Sequence, residues 1–338
     1  MMQDFIRMAV GGESLTRDQA EQAMGLIMDG KATAVQIAAL AIALRMKGES
    51  VDEVTGFAKV MRERATPVPH RHKDVLDTCG TGGDGSGTFN ISTTVALVAA
   101  GAGAVVAKHG NKAISSRSGS ADVLQALGVN VGLTAEQSGK CLDEIGVGFL
   151  FAPALHGAMK HAAVPRSEMG VRTFFNLLGP LSNPAGASRQ LVGVFDGDWV
   201  EPIAQVLANL GAERAWVVHG LDGLDELTIC DETRVAEVKD GKVRGFYINP
   251  EDLGFELARP ADLKGGDASA NAGDTLAVLQ GKAGAKRDIV VLNAAAALLV
   301  AGKAADLKEG IVLAVKSIDS GSAMNKLDEL KRLSQSFT

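Results

Sequence analysis

Two adjacent acidic residues, Asp225 and Glu226, lie in the stretch HGLDGLDELT, just after the strand-like Trp216-Val217-Val218. Neighbouring carboxylates supply the oxygen ligands that a hard divalent cation takes, although most such pairs are simply solvated surface. A second stretch, DTCGTGGDGSGTFNISTT at 77–94, changes how the pair reads, because five glycines fall within 80–87. Glycine loses more conformational freedom on folding than any other residue. A tight turn, or a ligand pressed against bare backbone, must return that loss. A glycine-rich loop between strand and helix is where α/β folds bind phosphates, with N–H groups turned inward and no Cβ in the way. Asn90, Ser92, Thr93 and Thr94 then open the next helix beside its positive end. The loop is not a dinucleotide fingerprint, whose helix would begin sooner, nor a P-loop, which needs Gly-Lys-Ser/Thr. A flexible surface loop is the competing reading.

A third stretch, KHGNKAISSRSGSADVLQALG at 108–128, follows the apolar Val105-Val106-Ala107. Lys108 therefore lies at the same sheet edge as the glycine loop. The run after it supplies amides, hydroxyls and cations that suit a phosphorylated sugar. In a fourth stretch Arg166 follows Pro165 and fits a bidentate carboxylate clamp or a structural ion pair equally well. His219, at a strand end, reads as structural.

The elements that must carry these residues change character along the chain. The first 65 residues are helical in pattern, with capping boxes at Thr16/Gln19, Thr33/Gln36 and Ser50/Glu53. The helix containing AVQIAALAIALRMKG is apolar nearly all round, which points to burial against another element or subunit. Thr66-Pro67-Val68-Pro69 breaks the pattern as a linker. From Lys73 onward, strand-like runs at 75–78, 104–108, 129–131, 148–151, 190–195 and 214–218 alternate with helices at 93–100, 121–127, 134–145 and 200–210. Such alternation predicts a largely parallel sheet with helices on both faces. Residues 166–181 interrupt it with a helical stretch that returns to the helical domain. A hairpin turning at Asp240-Gly241 follows, and the last 65 residues are helical. The expected division is a helical domain at 1–66, joined by about 166–184, and an α/β domain at 73–338.

Composition narrows the function classes. A net charge of −6 and only 4% aromatic residues, with one Tyr, argue against nucleic-acid binding. Cys79, Cys141 and Cys230 are odd in number and widely spaced, so neither a disulfide framework nor a zinc site is indicated. The N-terminal stretch lacks the basic and apolar regions of a signal peptide, and no apolar run reaches the roughly 18 residues that cross a bilayer. A cytoplasmic protein is expected.

Taken together, GTGGDG…FNIST, KHGN…SS.SGSADVL.ALG, PR.E.G.RT.FNLLGPL.NP and HG.DGLDE, in this order, resemble the anthranilate phosphoribosyltransferase family, of the nucleoside-phosphorylase-like class. The resemblance runs to about residue 325. It implies a small N-terminal helical domain, a larger α/β domain with a mainly parallel central sheet flanked by helices, and a homodimer formed through the helical domain. It also implies transfer of a phosphoribosyl group from 5-phosphoribosyl 1-diphosphate to anthranilate, with Mg²⁺, in tryptophan biosynthesis. No covalent catalytic residue is implied. On this resemblance Gly80, Gly83, Asp84, Thr88, Asn90, Ile91, Ser92 and Thr93 hold the phosphoribosyl donor. Lys108, His109, Gly110, Asn111, Lys112, Ala113, Ile114, Ser115, Ser116 and Ser120 wrap it. Gly80, Asn111 and Arg166 face anthranilate, while Ser92, Asp225 and Glu226 match the metal ligands. Lys112 stands where Arg is common, and Gly157 replaces a frequent Pro. A pyrimidine nucleoside phosphorylase of the same fold, or a non-catalytic nucleic-acid-binding relative, is the alternative.

Overall fold

The computed structural model describes residues 1–113 and 117–337. Its N-terminal helices are α1 (Met2–Val10), α2 (Arg17–Met28), α3 (Ala34–Lys47) and α4 (Val51–Glu63). All three capping boxes form at the starts of α2, α3 and α4, each satisfying backbone N–H groups reciprocally. Glu53 does more than cap. Fully buried, it accepts from Leu15 N at 2.8 Å, Ser50 N at 2.7 Å and Lys47 Nζ at 3.0 Å, tying two interhelical turns together. The helix Lys160–Met169 packs on α2 and α3, and Phe174 and Phe175 continue a stack begun by Phe57 of α4 at 4.3 and 4.2 Å. Residues 160–181 therefore share an apolar cluster with the N-terminal helices.

The remainder winds about a seven-stranded sheet of order β3-β2-β1-β4-β5-β6-β7. The strands are β1 (Val75–Asp77), β2 (Val105–Gly110), β3 (Val147–Phe151), β4 (Arg189–Gly193), β5 (Arg214–Gly220), β6 (Thr233–Lys239) and β7 (Lys242–Ile248). The run β3-β2-β1-β4-β5 is parallel, and β6 and β7 add an antiparallel hairpin. Asp240 and Gly241 both take positive φ, 51° and 71°, as a two-residue hairpin turn requires.

The strand expected at 129–131 does not form. Val129 and Val131 are buried, but Asn130 gives its N–H to Ser334 Oγ at 3.0 Å. The C-terminal helix Ser322–Gln335 thus supplies the partner that a neighbouring strand would have offered. Helices cover both faces. One face carries α5 (Ile91–Gly101) and the buried helix Ala285–Val300; the other carries Val200–Asn209. Because β1, β2, β4 and β5 are parallel, the loops leaving them emerge at one edge, the position where open α/β sheets bind ligands. Among the described residues no helix is long and apolar enough to cross a membrane.

Candidate active site

The glycine loop is tied down rather than idle. Thr81 N donates to Gly193 O at 2.8 Å, and Phe195 N donates to Thr81 Oγ1 at 3.1 Å. Gly82 N donates to Asp225 Oδ2 at 2.8 Å. At its far end Gly265 N donates to Gly87 O at 3.0 Å, and Thr88 bridges to Lys264. A Cβ at Gly80 would meet Gly193 O at 3.0 Å and Asp225 Oδ2 at 3.2 Å, so the chain passes where only glycine fits comfortably.

Two carboxylates, Asp225 and Glu226, stand against this loop, and a third, Asp84, belongs to it. Asp225 N donates to Asp84 Oδ2 at 3.4 Å. Burial, then repulsion by Asp84 and by Glu226, pushes the Asp225 carboxyl well above the usual range. Burial also pushes Glu226 up to about 8, opposed by Lys108; Asp84 adds repulsion, and a hydrogen bond from the Ser92 N–H opposes it in turn. Lys108 is itself buried and donates to Thr78 O at 3.0 Å. One ammonium does not balance three acids, which favours their protonated forms; a divalent cation such as Mg²⁺ that displaced those protons would find hard oxygen donors already gathered. Asp77, Cys79 and His109 form a tighter group of ligand-type side chains, but hydrogen bonds already occupy them. Asp77 accepts from His109 N at 3.1 Å and Asn183 Nδ2 at 2.7 Å, and the His109 ring meets Gly179 O at 3.1 Å and His156 Nε2 at 3.2 Å. Burial pushes the Cys79 thiol up to about 12, which rules it out as a thiolate nucleophile.

The loop after β2 is laced to the next helix. Asn111 N donates to Ser120 Oγ at 3.2 Å, the same hydroxyl donates back to Asn111 O, and Ala113 N donates to Asp122 Oδ2 at 2.9 Å. Gly110 lies so close to Ser120 Oγ that a Cβ there would stand 2.2 Å from it. Lys112 is exposed, and Ile114, Ser115 and Ser116 lie outside the described residues. Asn90 accepts from Asn271 Nδ2 at 2.8 Å and donates to Ser118 O at 3.3 Å, which joins the two loops. The side chains of Ile91 and Thr93 are buried beneath the helix start. Arg166 is carried by the helix Lys160–Met169, its guanidinium over the Phe175 ring at 5.3 Å, and burial holds its pKa below the usual value. A desolvated guanidinium over an aromatic face, with no carboxylate paired to it among the described residues, has the chemistry to receive an anion.

Four residues here were given no role by the sequence reading. His156 and the Asp77–Asn183 pair fix the β2 end from behind. Arg172 stacks over Phe195 at 4.5 Å and hydrogen-bonds Gly83 O. Arg172 and Asn183 both carried a signal, as positions of the PR.E.G.RT.FNLLGPL.NP stretch.

A glycine loop at the carboxyl edge of the sheet, with an acidic cluster and a helical bundle beside it, is the arrangement of a group-transfer enzyme. Residues 72–324 match the glycosyl transferase family a/b domain, and residues 3–65 match the helical bundle domain of that family. Two relatives named anthranilate phosphoribosyltransferase bear on the particular activity. The one from Symbiobacterium thermophilum is 54% identical, covering 98% of this chain and 97% of the relative, and the one from Moorella thermoacetica is 55% identical with the same coverage. The crystal structure of the Thermus thermophilus enzyme superposes with a TM-score of 0.93 at 44% identity, covering 98% of this chain and 99% of that one. The Saccharomyces cerevisiae enzyme in complex with PRPP and Mg superposes with a TM-score of 0.90 at 26% identity, covering 99% and 98%. The chain belongs to the anthranilate phosphoribosyltransferase family.

Proposed function

We infer that the chain transfers the phosphoribosyl group of 5-phosphoribosyl 1-diphosphate to the amine of anthranilate, releasing N-(5-phosphoribosyl)anthranilate and diphosphate. The observation that carries this is the Gly82–Asp225 hydrogen bond, which joins a phosphate-cradling backbone to an acidic cluster able to hold Mg²⁺. In this reading Gly80, Gly83, Asp84, Thr88 and Asn90–Thr93 hold the donor, and Lys108–Ser116 with Ser120 enclose it. For Ile91 and Thr93 the main chain makes the contact. Asn111, Arg166 and Gly80 face anthranilate.

The chemistry needs no covalent residue. The bond from the anomeric carbon to diphosphate breaks, the bond to the anthranilate nitrogen forms, and the amine's surplus proton passes to solvent. The anomeric centre is oxocarbenium-like while this happens. Loop N–H groups and Lys108 stabilise the departing charge. Arg166 holds the acceptor's carboxylate so that its amine faces the ribose. Mg²⁺, held by Asp225, Glu226 and Ser92, supplies further neutralisation of the diphosphate when bound.

The same reading divides the chain into a helical domain (1–66 with about 166–184) and an α/β domain (73–338). It places the chain in tryptophan biosynthesis, in the cytoplasm, as a homodimer. Support for the dimer comes from α3, whose outward face bears Val35 and Met46, 78% and 84% exposed. An apolar stripe opposite the bundle core fits a second copy of the same face. Anthranilate emission should fall when the donor and Mg²⁺ are added together and persist when either is omitted. Turnover of thymidine with phosphate in place of that result would favour the phosphorylase reading.

A further inference from the structure

The arm carrying Arg166 ends at Gly170, which takes a left-handed conformation at φ 62°. Two residues later Arg172 leaves the helical side and reaches the glycine loop. Its guanidinium lies over the ring of Phe195, 4.5 Å from the centroid, and its Nη2 donates to Gly83 O. No carboxylate pairs with it among the described residues. Gly83 sits at φ 80°, and a Cβ there would be 3.3 Å from the Arg172 guanidinium, so a side chain at 83 would crowd the contact. Phe195 is itself fastened to the loop through its N–H on Thr81 Oγ1 at 3.1 Å. Arg172, Phe195, Thr81 and Gly83 thus form one closed circuit.

The circuit has consequences at both ends. At the loop, the guanidinium holds the Gly83 carbonyl while the neighbouring Gly82 N–H is held by Asp225. The two contacts hold the peptide planes on either side of the Gly82–Gly83 peptide in the segment assigned to the donor. At the arm, the residue after Arg172 is the buried Thr173, whose N–H is capped by Asn176 Oδ1 at 3.1 Å, and Phe174 then stacks on Phe57 of α4. Arg172 is therefore anchored on the helical bundle and ends on the donor loop.

We propose that Arg172 is a positioning residue that couples the two substrate subsites, so that filling the donor's diphosphate cradle strengthens acceptor binding near Arg166. This rests on the assignment of those subsites made above. The physical reason is shared ordering. A loop already held in its cradle conformation holds Arg172, and Arg172 holds the arm, so the second ligand has less motion to arrest. Linkage makes the effect reciprocal: each ligand tightens the other by one and the same factor.

The test uses inorganic diphosphate with Mg²⁺, which fills the donor's diphosphate cradle without reacting. Anthranilate affinity is read from its fluorescence with and without diphosphate, and diphosphate affinity with and without anthranilate by calorimetry. The wild-type protein should show a mutual tightening of about fivefold or more. In Arg172→Ala the factor should fall to about one while each ligand alone binds within about twofold of wild type. Arg172→Lys, which keeps the charge but loses the planar stack, should recover little of it. Steady-state rates should show raised KM for both substrates with a smaller change in kcat. Arg172 is exposed, so the variants should fold, and circular dichroism is the check. A wild-type factor near one, a factor preserved in Arg172→Ala, or an equal loss of both binary affinities would each overturn the coupling role. Failure of the wild-type protein to bind diphosphate or anthranilate at all would instead overturn the subsite assignment beneath it.

Discussion

Gly193 lies so close to Asp225 that a Cβ at position 193 would stand 1.5 Å from the Asp225 carbonyl oxygen. The end of β4 and the acidic loop are thereby fitted together through main chain alone. Real atoms do not approach to that distance, so any side chain at 193 must push the acidic loop outward and break the Gly82–Asp225 hydrogen bond. Gly193→Ala should lose about 100-fold or more in kcat/KM, in line with misplacing groups that stabilise developing charge. Circular dichroism should show the fold retained. Near-normal turnover would mean that the position of Asp225 does not matter.

The acidic cluster makes a linked prediction about Mg²⁺ and pH. Glu226 titrates near 8 in the folded chain, above its ordinary value of 4.5. Between those two values the folded chain holds a proton that the unfolded chain has released, so this group's contribution to stability falls as pH rises. A divalent cation competes with that proton for the carboxylate, so it binds more tightly as pH rises toward and past 8. The rise in melting midpoint on adding Mg²⁺ should therefore be larger at pH 8.5 than at pH 6. Glu226→Gln should abolish most of the difference, and an unchanged difference in that variant would exclude Glu226 as a ligand.

How much of this could be read from the chain depends on how local each signal is. The capping boxes at Thr16, Thr33 and Ser50 are complete within four residues, so sequence alone locates them. The glycine loop and Lys108 were legible because strand-then-loop spacing and a parallel sheet force them to one edge. The strand expected at 129–131 was not there, because three alternating residues are too few to separate a strand from a buried crossing. Its amide partner, Ser334, lies 204 residues away. The resemblance places Asp84 at the donor, but nothing beside it in the chain announces that its carboxylate accepts from an N–H 141 residues away. Asn183 looks like a turn residue before Pro184; nothing nearby announces that its amide crosses 106 residues to Asp77.

That crossing gives a stability prediction. Asn183 Nδ2 donates to Asp77 Oδ2 at 2.7 Å and to Ala107 O at 2.9 Å, and both Asp77 and Asn183 are buried. Asn183→Ala leaves a carboxylate oxygen and a carbonyl without a donor in a site that has little water to replace it. A loss of about 2–4 kcal/mol is expected from urea unfolding. Because Asp77 also receives the His109 N–H, the donor KM should rise as the β2 end loosens. A loss below about 0.5 kcal/mol would show that water enters and satisfies the pair.

The histidine pair behind β2 predicts how the fold fails in acid. His109 Nδ1 faces Gly179 O, a carbonyl, and so must carry the proton; His109 Nε2 then accepts from His156 Nε2. This chain of bonds needs both rings neutral. Burial, with His156 and then Lys108 as the cationic neighbours, pulls His109 down to about 3, and burial pulls His156 down to about 4, from an ordinary 6.5. Below pH 6.5 the unfolded chain takes up protons that the folded chain refuses, so the stability these groups contribute is complete above that pH and drains away as pH falls toward 4. Asp77, raised to about 6 by burial, opposes this over part of the range, so the informative comparison is with a variant that retains Asp77. His156→Gln keeps a donor toward His109 and removes one titrating ring. Its unfolding free energy should fall less steeply between pH 6.5 and 4.5, by up to about 1.4 kcal/mol per pH unit. Parallel curves for the two proteins would mean that His156 already protonates in the folded state, and the neutral bond between the rings would have to be given up.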